Sequence, residues 1–281
     1  MKKNISTNAL NPVFSRISAL KFVKTITDYS GPIADFYDPM QSWLSEDVEF
    51  FLKDIKGRKT RILELGSGTG RIALPLAKKG HTVYAVDSSA DMQKILRRKL
   101  KGPVARKVVP VQASISDMRI SEKFDHAIMG LNTIYGLAQE DDRIASFRNI
   151  AGHLKKGAFL YIDTMLPGRS LLLNRPGVYG MYLFEDKRGN HCINISYSRY
   201  NVKTQRSMLN FLNIVTDRKG KARFYVTSSK EYYPSLGELS VLLKTSGFKV
   251  VAVFSDYKGT KLDPGNMNDD GQEVVIKAQK L

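Results

Sequence analysis

Arg61-Ile-Leu-Glu-Leu-Gly-Ser-Gly-Thr-Gly-Arg71 is followed by a helical pattern and then by Val83-Tyr-Ala-Val-Asp-Ser88. One apolar run ends in a glycine-rich turn, and a second ends in a carboxylate. That order predicts a strand, a tight loop, a helix and a parallel strand with an acid at its tip. Such a unit binds a ribose-bearing ligand in the crevice at the carboxyl ends of its strands. Gly66, Gly68 and Gly70 read G-x-G-x-G, whereas the dinucleotide fingerprint needs glycine where Arg71 stands. The Gly-Lys-Ser/Thr of a phosphate loop is missing as well. Gly66 and Gly68 permit a tight turn with close approach of a ligand, and Gly70 permits close packing of the next helix. Asp87, when ionised, can accept from both ribose hydroxyls. The competing reading is a glycine turn in an ordinary α/β protein with a surface aspartate.

Outward from this unit, strands alternate with helices, as a doubly wound sheet requires. Strands fall near 60–66, 81–87, 107–113, 125–131 and 157–164, with helices near 70–79, 89–100 and 139–154. Lys155-Lys-Gly157 reads as a basic helix end with a glycine stop. From about 178 to 233, aromatic and β-branched runs meet turns at Asp186-Lys-Arg-Gly and Asp217-Arg-Lys-Gly, which reads as antiparallel hairpins. A helix over Ser235–Gly247 and strands at Lys249–Phe254 and Glu273–Lys277 complete the main sheet. The expected fold class is α/β, a doubly wound seven-stranded sheet with a small inserted antiparallel sheet. The expected organisation is an N-terminal helical cap over 1–56, a cofactor domain over 57–165 and 234–281, and a substrate cover over 166–233. Within the cap, Phe14–Tyr29 reads as a helix stopped by Ser30-Gly-Pro, and Ser45 N-caps a helix running to Ile55.

Leu63-Glu-Leu-Gly-Ser-Gly-Thr-Gly-Arg71, Val86-Asp-Ser-Ser-Ala-Asp-Met92 and Phe124-Asp-His-Ala-Ile-Met-Gly-Leu-Asn132 together resemble a class I S-adenosylmethionine-dependent methyltransferase of the small-molecule type. The resemblance runs from about Tyr37 to the C-terminus and is strongest between Arg61 and Tyr135. It implies a Rossmann-like fold and S-adenosyl-L-methionine as cofactor. Gly66, Ser67, Gly68 and Gly70, with Arg71, would then surround the methionine part. Asp87 and Ser88 would lie at the ribose, and Met92 at the adenine. Glu64 would order the glycine loop or meet the amino-acid portion, its alternative being a local salt bridge. Many members place an aspartate after the third strand to accept from the adenine amino group, but this chain has Ser114. The adenine contact then falls to Ser114, the backbone at Ile115, or Asp117.

Methyl transfer is an in-line displacement for which the protein aligns the reactants and removes water; no metal is expected. This leaves the catalytic residues less visible than the cofactor site. The resemblance sets Tyr37 near the sulfonium, where its ring or hydroxyl would meet the cation; anchoring of the N-terminal helices competes as a role. It also sets Gly130-Leu-Asn-Thr-Ile-Tyr135 beside the methyl-bearing end, so Leu131 and Asn132 are candidate contacts, with a turn cap as the alternative for Asn132. Tyr135 reads equally as core. The Asp/Asn-Pro-Pro-Tyr/Phe of DNA amino-methyltransferases is not present there. Of the four histidines, His81, His126 and His153 fall where packing or a solvated face suffices, and His191 is the best candidate base.

A chain of 281 residues with 42% hydrophobic content can bury a substantial core. Cys192 is the sole cysteine, so an intrachain disulfide and a cysteine-rich metal site are excluded. The first eight residues, Met1 to Asn8, lack a continuous apolar run, and no stretch reaches membrane-spanning length, so a cytoplasmic enzyme is expected. The net charge of +17 gathers in Lys94–Lys101, Arg106-Lys107 and Asp217–Arg223. Leu96 and Leu100 at helical spacing make the first cluster the outer face of an amphipathic helix. The charge still motivates an alternative, an RNA-modifying methyltransferase. A small-molecule acceptor is the favoured partner, and the chain is expected as a monomer or homodimer.

Overall fold

The computed structural model describes residues 16–26, 29–57, 59–168, 177–201, 203–265 and 271–281. A short strand, β1 (Val23–Thr25), precedes two helices, α1 (Pro32–Met40) and α2 (Glu46–Asp54). The alternating section then runs β2 (Arg61–Leu65), α3 (Ala73–Lys78), β3 (Thr82–Asp87), α4 (Ala90–Lys99), β4 (Val108–Gln112), β5 (Phe124–Met129), α5 (Glu140–His153) and β6 (Leu154–Leu166). Four long strands follow: β7 (Gly177–Glu185), β8 (His191–Asn201), β9 (Arg206–Thr216) and β10 (Ala222–Tyr232). The chain closes with α6 (Leu236–Thr245), β11 (Phe248–Phe254) and β12 (Gln272–Lys280).

The main sheet has seven strands in the order β11-β12-β6-β5-β2-β3-β4, with β12 antiparallel to its neighbours. Helices cover both faces, which is why β2 reads as a nearly unbroken apolar run: Ile62, Leu63 and Leu65 are fully buried. Burial of each such side chain contributes about 1.5–3 kcal/mol relative to exposure. The chain enters mid-sheet at β2, builds outward through β3 and β4, then returns to place β5 on the other side of β2. The resulting crevice between β2 and β5 opens at their carboxyl ends, where the glycine loop stands.

The second sheet has five strands in the order β1-β10-β9-β8-β7. Two of its hairpin turns, β7–β8 and β9–β10, are built alike. Asp186 accepts from the backbone N–H of Arg188 and Asn190, and Asp217 from that of Lys219 and Lys221. Gly189 and Gly220 supply the left-handed residue at φ 74° and 78°. One end of this sheet packs through Phe184 and Tyr225 on Phe36 of α1, at ring separations of 5.8 and 6.5 Å. The other end packs through Tyr200 on Tyr233, which lies 4.2 Å from Tyr135.

Two expectations are corrected. The helix expected over Phe14–Tyr29 is helical only at residues 16–18 and then gives way to β1, which pairs in parallel with β10, Val23 opposite Phe224. Val23-Lys-Thr-Ile26 is rich in β-branched residues, and pairing satisfies the open edge of β10 while burying Val23. The N-terminal segment is therefore not purely helical. The remainder of that expected helix, at residues 14–15 and 27–28, lies outside the described residues, as does the segment Met1 to Asn8. Gly157 is not the stop of α5 either. The helix ends at His153, and Gly157 sits inside β6 with φ 80°, within the register irregularity between Leu154 opposite Phe124 and Phe159 opposite His126.

Among the described residues no helix is long and apolar enough to cross a membrane. The basic run on α4 is amphipathic as its spacing predicts: Ile95 and Leu96 are buried while Lys94, Arg97 and Arg98 are exposed.

Candidate functional site

The glycine loop is held from four sides. Gly66, Gly68 and Gly70 all have positive φ, at 69°, 53° and 84°. A methyl group on Gly66 would stand 2.5 Å from Thr133 Cγ2, and one on Gly70 would collide with Leu96. The ring of Tyr37, on α1, lies over Gly68, 3.7 Å from where its Cβ would be. Ser67 N–H donates to Val86 O at 2.9 Å, tying the loop to β3.

Asp87 closes the unit. Its Oδ2 accepts from Gly68 N–H at 2.7 Å and its Oδ1 from Ser89 N–H at 2.8 Å. Burial raises its pKa above the ordinary carboxylate value, and the two backbone donors pull against that rise. Each oxygen keeps a further lone pair for a ligand. Ser88 beside it is exposed, while Ser89 is the N-cap of α4, accepting from Met92 N–H and donating to Tyr29 O at 2.7 Å. Asp91 Oδ2 accepts from Gly31 N–H at 2.8 Å, so the segment leading into α1 is pinned to the start of α4. Met92 is buried beside Ala34, Ile95 and Tyr37.

Glu64 ends β2 just before the loop and is buried, with Oε2 lacking any partner. Burial pushes its pKa up to about 8, with Asp87 adding to the rise and Arg71 opposing it. Arg71 itself makes a two-pronged ion pair with Asp47 of α2, at 2.7 and 2.5 Å. Asp47 is fully buried, so two guanidinium nitrogens dock α2, while Nε keeps no partner. A second charged cluster clamps the outer side of the loop. Asp38 of α1 accepts from Thr69 Oγ1 at 2.5 Å, from Lys99 Nζ at 2.8 Å and from Lys187 Nζ at 2.8 Å. Lys99 also donates to Thr69 O at 3.0 Å.

Across the crevice, Leu131 and Asn132 are consecutive non-glycine residues in the left-handed region, at φ 44° and 58°. The conformation is held by β6. Leu131 N–H donates to Asp163 Oδ2 at 2.9 Å and Asn132 N–H to Asp163 O at 3.0 Å. Asn132 Oδ1 accepts from Met165 N–H at 2.7 Å and from Thr164 Oγ1 at 3.2 Å. Its carboxamide oxygen is thus occupied, as in the turn-cap reading. Tyr135 donates to Met165 O and is buried core.

Asp163 was not among the candidates from sequence. Burial pushes its carboxyl up to about 7. Tyr257 Oη lies 3.0 Å from Asp163 Oδ1 and 2.7 Å from Glu273 Oε1, and one phenolic proton serves only one of them. The signal was present in the sequence: Leu160-Tyr-Ile-Asp163 ends an apolar strand in an acid, as Val83–Asp87 does.

The other candidates are placed as follows. Ser114 is exposed and bonded to Ser116 Oγ at 2.9 Å, Asp117 is exposed, and Ile115 is buried with its carbonyl accepting from Asn149 Nδ2 at 3.0 Å. His191 is exposed at the start of β8 and is not brought to the crevice. Cys192, its neighbour, faces Phe36, and alternation turns His191 to the opposite face. His126 is a packed, neutral histidine, lowered to about 4 by burial and stacked on Phe159. His153 accepts from Ile120 N–H and His81 bonds Thr60, both structural contacts.

The family model described as a methyltransferase domain matches residues 62–157. The cypemycin N-terminal methyltransferase of a Streptomyces species is 31% identical over 144 residues, which cover 50% of this chain and 57% of that protein. The chain thus spans little more than half of that relative's length. The glycine/sarcosine N-methyltransferase of Aphanothece halophytica is 25% identical over 248 residues, covering 83% of this chain and 84% of that protein. In fold, the CcbJ methyltransferase from Streptomyces caelestis aligns with a TM-score of 0.66 at 24% identity, covering 84% of this chain and 94% of the other. Glycine loop, acid-tipped second strand and sheet order agree with these likenesses: residues 62–157 match a methyltransferase domain, and the fold is the Rossmann-like one of the solved methyltransferases.

Proposed function

We propose that this chain transfers a methyl group from S-adenosylmethionine to a nitrogen or oxygen atom of a small molecule, with nitrogen preferred. The observation that carries the reading is Glu64. A buried carboxyl with an unpartnered oxygen beside a close-approach glycine loop is a poor structural feature and a good receptor for an ammonium group. The donor set therefore fits the amino-acid end of the cofactor. Two of the curated relatives, an N-terminal and a glycine/sarcosine N-methyltransferase, support nitrogen as the acceptor atom.

When bound, the cofactor supplies an electrophilic methyl group on a sulfonium. Gly66, Ser67, Gly68 and Gly70 then give backbone access to the methionine part. Asp87 retains lone pairs for the ribose hydroxyls, and Met92 with Ser114 or the Ile115 backbone borders the adenine. The Tyr37 ring over Gly68 offers its π-face to positive charge and keeps water out. The Leu131–Asn132 turn borders the methyl end and fixes the direction of acceptor approach. Arg71 acts one step back, by fixing α2 through Asp47.

In this reading the five-stranded sheet is the acceptor cover, spanning the crevice from α1 to the Thr133–Gly136 turn. Calorimetric titration with S-adenosylmethionine and its demethylated product tests the cofactor site. Both bind the wild type, and Gly68→Val and Asp87→Ala weaken them strongly. Unchanged affinity in both variants overturns the assignment.

A further inference from the structure

Two of the basic runs behind the net charge of +17 converge in the fold. Arg98 comes from the run Lys94–Lys101 on α4, and Arg223 from the run Asp217–Arg223 at the start of β10. The β7–β8 turn adds Lys187 and Arg188. These four cations line one cavity of about 460 Å³, which Phe36 of α1 and Tyr225 of β10 also line. Its volume falls within the roughly 300–1,000 Å³ of small-molecule sites. A methyl group on Gly189 would collide with the Arg218 guanidinium, so a further cation, from the β9–β10 turn, lies against the tip of the β7–β8 turn.

Little in the lining offsets this charge. Lys187 is paired with Asp38 at 2.8 Å, but Arg98, Arg188 and Arg223 make no ion pair with a described residue. The lining holds two carboxylates, Asp35 and Asp186. Asp186 is turned into its own hairpin, where its oxygens accept from Arg188 N–H, Asn190 N–H and Asn190 Nδ2. Like charges gathered from three separate segments repel one another, and a concave wall focuses their field on whatever enters. Three of the four cations are arginines, whose planar forks match phosphate oxygens two at a time. A carboxylate presents two oxygens, too few for three forks, whereas a phosphate or diphosphate presents more.

We propose that this cavity holds the phosphate or diphosphate group of a small molecule, outside the methyl-transfer crevice. Phe36 faces the cavity, while Tyr37, the next residue of α1, lies over Gly68. The cavity and the glycine loop thus meet different sides of α1. Arg98 belongs to the helices that cover the main sheet, and Arg188 and Arg223 belong to the five-stranded sheet and its turn. The bound group therefore ties the two sheets' layers together beside α1 and replaces the repulsion among the arginines with attraction. The inference does not depend on the methyl-transfer reading; it adds a second ligand site to it.

Calorimetry on the full chain at low salt, with sodium pyrophosphate as the probe, tests the site. Pyrophosphate binds one to one. Arg98→Gln, Arg188→Gln and Arg223→Gln each weaken it about tenfold or more, the scale of a lost charge-assisted hydrogen bond. Lys94→Gln removes the same charge from the exposed side of α4, away from the cavity, and leaves binding unchanged. All four substituted side chains are exposed, so the variants keep the wild-type melting temperature. Absence of pyrophosphate binding overturns the proposal, as does an equal loss in Lys94→Gln. Equal binding of acetate at the same ionic strength does so too, because it reduces the effect to screening. Single-stranded RNA that binds more tightly, and that Lys94→Gln weakens as much as Arg223→Gln, makes the basic surface the ligand site in place of the cavity. Labelled methyl transfer into a small-molecule extract then separates the two sources of the phosphate. Competition by pyrophosphate places it on the acceptor, and its absence places it on a separate ligand, with the same chemistry in the cavity.

Discussion

Gly68 N–H donates to Asp87 Oδ2 at 2.7 Å, so the two halves of the cofactor motif are one hydrogen-bonded unit before any ligand arrives. The carboxylate that would receive the ribose also fixes the turn that would receive the methionine part. Asp87→Asn keeps the shape but makes the acceptor neutral and puts a donor in one of the two places. We expect cofactor affinity to fall about tenfold or more by calorimetry, the scale of a charge-assisted hydrogen bond. Gly66→Ala strikes the same unit through the backbone. Its φ of 69° and the Thr133 side chain in the way make the variant less stable by about 1–2 kcal/mol, with a matching loss of cofactor affinity.

The pairing of Arg71 with Asp47 predicts a strong non-additivity. Asp47→Asn or Arg71→Gln leaves one charge in a buried setting, and each should destabilise the fold by about 3–5 kcal/mol. The double variant should be less destabilised than the sum of the singles. Urea denaturation of all four proteins gives the cycle, and simple additivity would count against the pair as a unit.

Glu64 predicts a sign for the pH dependence of stability. Its folded pKa of about 8 lies above the ordinary 4.5, so the folded state holds an extra proton between those values. Stability is therefore highest below the unfolded pKa and falls as pH rises toward 8, by up to roughly 1.4 kcal/mol per pH unit. Asp163, pushed up to about 7, adds a slope of the same sign over a narrower window. In Glu64→Gln the fall should be much reduced, and denaturation midpoints measured across this range decide it. A cationic cofactor group at Glu64 should also release a proton on binding near neutral pH, visible as a buffer-dependent binding enthalpy.

Asn132 separates backbone from side chain. Asn132→Gly keeps the left-handed turn and loses only the bonds to Met165 and Thr164, whereas Asn132→Ala loses both turn and bonds. The glycine variant should be more stable than the alanine variant by about 1 kcal/mol, read from thermal unfolding. Equal stabilities would mean that the turn is not held in this conformation.

The sequence alone determined the alternation that makes the main sheet, because burial on both faces writes an apolar run into each strand and a glycine or acid at its end. Leu63–Gly70 and Val83–Asp87 were legible for that reason. The hairpins of the second sheet were legible from Asp-x-x-Gly turns, whose chemistry is local. Tertiary structure alone decided what depends on partners distant in the chain. The pairing of Arg71 with Asp47 was not legible, because only packing of α2 brings the two together. The bond from Met165 N–H to the Asn132 oxygen was not legible either, because β6 lies some thirty residues on. β1 looked helical because its pairing edge, β10, lies some two hundred residues away. Asn194, Asn213 and Thr227 carry no local mark of their burial without a partner, which is a property of the folded interior and not of the residues themselves.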